Sequence, residues 1–78
     1  MNKRKLLAYH INIFYSADDE GFIADIPDLK YCSAFGETPE KALSEVLIAQ
    51  QAWLEAAVET GRKIPTPKYK PMIYQIAQ

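Results

Sequence analysis

Few residues in this chain could carry chemistry, and their spacing tests what they could do. The nucleophile–base pairs open to it are Cys32 or a serine with the single histidine, His10. Such a pair works only when the base sits within hydrogen-bond reach of the nucleophile, and no spacing ties His10 to Cys32. His10 reads as a rim residue on a strand, and Cys32 as a small half-buried apolar one. One cysteine and one histidine also fall short of a structural zinc set. Asp18, Asp19 and Glu20 crowd together but lack the alternating ligand spacing of a calcium loop. They read as a solvated turn. "FGETPEK" has one glycine and no Gly-Lys-Ser/Thr, so it is not a phosphate loop. No residue set here supports an enzyme, and neither a cofactor nor a metal is expected.

Charge bears on partners. The net charge of −1 hides an uneven distribution, because every acidic residue lies between Asp18 and Glu59. Inside that interval only Lys30 and Lys41 are basic; Lys3, Arg4 and Lys5 precede it and Arg62, Lys63, Lys68 and Lys70 follow it. An acidic middle repels phosphates. The strand aromatics are not interleaved with basic residues as a base-stacking surface requires. Specific DNA binding by this chain is therefore not expected. Trp53 reads as core or interface packing.

At 78 residues the chain is one domain, 1–78. A domain of this size buries only about 60–65% of its unfolded surface. With one cysteine no internal disulfide can help it, which leaves self-association, as a homodimer or larger assembly, as the expected aid. "MNKRKLLAYHINIF" starts like a signal peptide, but His10 and Asn12 interrupt the apolar run and no small-residue cleavage site follows. No stretch approaches the about 18 apolar residues of a membrane span. A cytoplasmic protein is expected.

The elements follow from periodicity. Leu7 to Tyr15 alternates as a strand, with Tyr9, Ile11, Ile13 and Tyr15 on one face. "SADDEG" supplies a turn into "FIADI", a second strand stopped by Pro27, and "YCSAF" reads as a third. Gly36 then closes the extended stretch. Thr38 is a good N-cap and Pro39 suits the first helical position. The spacing predicts a helix from Pro39 to about Thr60, ended by Gly61. On it Leu43, Val46, Leu47, Leu54, Ala57 and Val58 form one apolar face, which Ala42, Ala49, Trp53 and Ala56 extend. That arc spans roughly 200°, where one sheet face needs about 100°. Gln50 falls inside it, and Ile48 is stranded among polar residues. Ile48 and Trp53 are therefore the candidates for an oligomer interface. After the proline-rich "KIPTPKYKP", "MIYQIA" reads as a fourth strand, returning to this sheet or to a neighbouring subunit's. The expected fold is α+β: β-β-β-α-β, an antiparallel meander with one long helix packed on it.

"EGFIADIPDL", then "FGETPEKAL", then "AWLEAAVETGRKIPTP" resemble the HicB-like antitoxin domain of type II toxin–antitoxin systems. The match covers about Tyr9 to Pro67, and its pieces are fairly specific in this order and spacing. Where the family usually carries Pro-Gly before the third strand, this chain has Lys30 and Tyr31; Lys41 stands where the family often has Glu. A short form, without the C-terminal DNA-binding domain of many such antitoxins, is expected. The resemblance implies a partial RNase H-like fold lacking catalytic carboxylates, which self-associates and which binds and occludes a HicA-like mRNA interferase. Asp18, Asp19, Glu20, Asp25 and Asp28 are the candidates for the charged part of a toxin-binding surface. The alternative is a solitary interaction or structural module with no toxin partner.

Overall fold

A computed structural model describes residues 8–75. Three strands, β1 (Asn12–Ser16), β2 (Gly21–Asp25) and β3 (Ser33–Gly36), form an antiparallel sheet in the order β1-β2-β3, and the helix α1 (Pro39–Glu59) packs on it. This is the expected α+β meander. The paired part of β1 starts later than the alternation suggests. Tyr9 to Ile11 lie outside any strand, and Leu7 is outside the described residues.

The helix starts as its sequence dictates. The Thr38 hydroxyl accepts from the Lys41 N–H at 3.1 Å, and Pro39 opens the first turn. Gly61 takes φ 76°, a conformation glycine adopts without strain, and ends the helix. Gly36 has a different task. A Cβ there would overlap the backbone of Lys41 and Ala42, so the helix start rests directly on the end of β3.

That close approach decides which side of α1 is buried, and here the expected apolar face needs correction. Ala42, Val46 and Ala57 are buried, with Ala49, Trp53 and Leu54 packed beside them. Leu43, Leu47 and Val58 stay exposed, Leu47 at 45% and Val58 at 67%. The sheet meets the helix through Ala24, Ala34 and Gly36, and small residues on both sides let the backbones close up. Leu43 and Leu47 are left on the flank. Tyr9, Ile26, Leu29 and Cys32 complete the core.

A second correction concerns the C-terminal segment. Met72–Gln75 forms a short helix, α2, where a fourth strand was expected. Pro71 has its φ preset for a helical start, and the Tyr74 N–H donates to the Pro71 carbonyl at 3.0 Å. Over four residues the alternation of apolar side chains does not distinguish a strand from one helical turn. Ile76, the last apolar residue of the expected strand, lies outside the described residues.

Candidate functional site

The loop that "IPDLKYC" forms ties the molecule together. The Leu29 N–H donates to the Ile26 carbonyl, the Cys32 N–H to the Leu29 carbonyl and the Ile26 N–H to the Cys32 carbonyl, each at 3.0 Å. These bonds close the loop around Leu29, which plugs the core. The loop then holds two distant segments. The Lys30 carbonyl accepts from the Trp53 indole N–H at 2.9 Å. The Asp28 carboxylate accepts from the backbone N–H groups of Lys68 and Tyr69 at 3.0 and 3.1 Å. Two of the sequence-derived candidates therefore have internal partners: Asp28 pins the proline-rich segment, and Trp53 is half-buried against this loop with the Arg62 guanidinium over its ring. Ile48 is exposed.

Tyr31 occupies the loop at φ 65° with 94% of its surface exposed. A side chain in the left-handed region costs on the order of 1 kcal/mol. Glycine fits this position without that cost.

The remaining acidic candidates fall into one region. Asp18, Asp19 and Glu20 lie in the exposed β1–β2 turn, where the Ser16 hydroxyl donates to the Asp19 carboxylate at 2.8 Å. Asp25 lies in β2, in register with Asn12 and Ser33. Pleating sends Asp25 to the sheet face opposite α1, because Ala24 points at the helix.

On that same face the register builds a feature that sequence reading missed. Phe14 stands opposite Ile23, and Ile23 opposite Phe35. These three make an apolar row across all three strands. Phe14 is 49% exposed and Phe35 43%. The Phe35 ring lies over Gly21, where a Cβ would collide with it. Among the described residues no helix or strand covers this row. The aromatics were visible in the sequence; their alignment needed the hairpin registers.

His10 and Cys32 are held apart. His10 is bonded to Asn12 through Nε2 at 2.6 Å and packed on Tyr69 with ring centroids 4.7 Å apart. Cys32 is buried in the core, and burial pushes its thiol pKa up, away from the thiolate. Burial, and then the Asp28 charge, likewise push the Tyr9 phenol up; its hydroxyl donates to the Pro65 carbonyl at 2.5 Å. Among the described residues no three His, Cys, Asp or Glu side chains gather as a metal site, and no helix is long and apolar enough to cross a membrane.

The site is therefore a surface: an apolar aromatic row with Asp25 beside it and the acidic turn at the end of its hairpin. Apolar residues of this kind, left open and rimmed by charge, mark places where other molecules dock. No family model matches the chain, and no solved structure does. It is similar to the UPF0150 protein ssl0259 of Synechocystis sp. (strain ATCC 27184 / PCC 6803 / Kazusa), with 41% identity over 54 residues. The alignment spans 69% of this chain and 74% of that protein. At that identity and coverage the chain belongs to the UPF0150 family.

Proposed function

We propose that this protein is a non-catalytic antitoxin that binds a small basic RNA-cleaving toxin of the HicA-like class and blocks it by occlusion. The observation that carries the reading is the open sheet face, where Phe14, Ile23 and Phe35 align beside Asp25 and the Asp18–Glu20 turn. An RNA-cleaving protein must present positive charge to hold phosphates. An acidic rim steers toward such a surface, and an apolar centre holds the complex once water is expelled. The HicB-like motifs support the same reading through their placement. Gly21 admits the Phe35 ring, Pro27-Asp28-Leu29 builds the tying loop, and Gly36 seats the helix. They maintain the scaffold that presents the face.

Co-expression with the product of an adjacent reading frame for a short basic protein tests this. The expected outcome is a stoichiometric complex and relief of that protein's growth inhibition. Phe14→Ser with Phe35→Ser should abolish both, and the folded double variant should keep its circular dichroism spectrum. A basic neighbour that neither binds nor inhibits growth would favour a solitary interaction module.

A further inference from the structure

We propose that two copies of this chain pair through the flank of α1 that the sheet leaves bare, with their helices antiparallel. The Ile26 N–H points at Cys32, so the β2 residues whose side chains face the helix aim their backbone groups at β3. A right-handed helix running back along β3 then turns Leu43, Leu47, Leu54 and Val58 toward the β1 side. There Ile13 and Tyr15 of β1, in the row that faces the helix, are exposed. Wall and floor together leave a set of apolar side chains open outside the core. It lies on the opposite side of the sheet from the Phe14–Ile23–Phe35 row.

The spacing of the wall selects the occupant. Leu43 and Leu47 mirror Val58 and Leu54 about a point between Gln50 and Gln51. A second helix laid antiparallel across that point sets Leu43 against Val58 and Leu47 against Leu54, in both directions at once. This is the self-complementarity a two-fold interface requires. Leu54, Glu55, Val58 and Glu59 line a shallow hollow, and the antiparallel register brings Leu43 of the second copy opposite it. A hollow of four residues receiving one apolar knob is how helices interlock.

Charge selects the direction. A parallel pairing would align each glutamate with itself, Glu40 with Glu40 and Glu55 with Glu55. The antiparallel register brings Glu40 to the level of Arg62 and Lys63 of the other copy, and Lys41 to that of Glu59. It also sets the helix dipoles head to tail. Leu47, Val58 and Tyr15 are among the open side chains of this set, at 45%, 67% and 59% exposure. Ile48 stands away from this flank and stays outside the interface.

Sedimentation equilibrium and cysteine cross-linking in a Cys32→Ser background test the pairing. The protein should be dimeric at tens of micromolar. Leu47→Glu and Val58→Glu change exposed positions and should weaken dimerisation at least about 100-fold with unchanged circular dichroism; Ile48→Glu should not weaken it. Gln51→Cys should cross-link to itself on oxidation, and Leu43→Cys should not. A monomer at that concentration, dimers that survive both glutamate variants, or self-cross-linking of Leu43→Cys would each overturn the proposal.

Discussion

The two stripes of α1 divide their labour against expectation. The small one, Ala42, Val46, Ala49 and Ala57, lies against the sheet, while the large one, Leu43, Leu47 and Val58 with half-buried Leu54, faces outward. Hydrophobicity alone would put the leucines inside. Distance of approach decides otherwise. With Gly36 under Ala42 and alanines at the centre of the sheet, the close-packed solution uses the small side of the helix and leaves the larger residues free for other contacts. The sheet repeats the division. It does so only where α1 comes closest: Ala24 and Ala34 lie under the helix, Phe22 and Ile26 pack beside them on the same face, and Phe14, Ile23 and Phe35 face away.

The comparison breaks most severely at Gly36. Gly36→Val should displace α1 from β3 and cost more than about 4 kcal/mol, the range reserved for gross backbone conflict. Chemical denaturation checks this, and a loss under about 1 kcal/mol would show that the helix can sit higher. Within the helix, Val46→Ala removes less than Leu47→Ala yet should cost more. Val46 is fully buried, so about 2 kcal/mol is expected, against under about 1 kcal/mol for Leu47 measured at submicromolar concentration. Equal costs would mean that the leucine stripe belongs to the monomer's core.

A pH titration sharpens the inner side. Tyr9 and Cys32 both have folded pKa values raised by burial. Each raised group contributes stability that is fully present below its unfolded value and is lost as pH rises through the folded one. The melting temperature should therefore fall above about pH 9, steepening beyond about pH 10 where unfolded tyrosine ionises. Tyr9→Phe should flatten the upper part of that fall. An identical alkaline limb in the variant would remove Tyr9 as its source. The smallest effect is a gain. Tyr31→Gly should relieve the left-handed strain and stabilise the fold by up to about 1 kcal/mol, offset in part by the greater freedom of glycine when unfolded. A destabilised variant would show that the Tyr31 ring makes contacts that outweigh its backbone.

Much of this scaffold was legible in the sequence. The alternation of "FIADI", the Thr38-Pro39 start and the Gly61 stop placed β2 and both ends of α1 because each reports a local constraint. The face of α1 that turns inward was not legible, since it depends on how closely two backbones approach, and only Gly36 hinted at that. Nor was the aromatic row, because one residue of slip in either hairpin would scatter it. Asp28 read as surface charge because its partners, the Lys68 and Tyr69 amides, lie about 40 positions away in the chain. The short "MIYQ" helix was hidden by an apolar pattern that suits either structure.

The claim that the open sheet face binds a basic toxin is tested most directly by amide NMR on the ¹⁵N-labelled protein, titrated with a small basic protein of the HicA-like class. The account expects shifts concentrated at Phe14, Ile23, Phe35, Asp25 and the Ala17–Glu20 turn, saturating at one toxin per chain, with Leu43 to Val58 undisturbed. Saturating shifts confined to the α1 flank, with the Phe14–Ile23–Phe35 row unchanged, would contradict it.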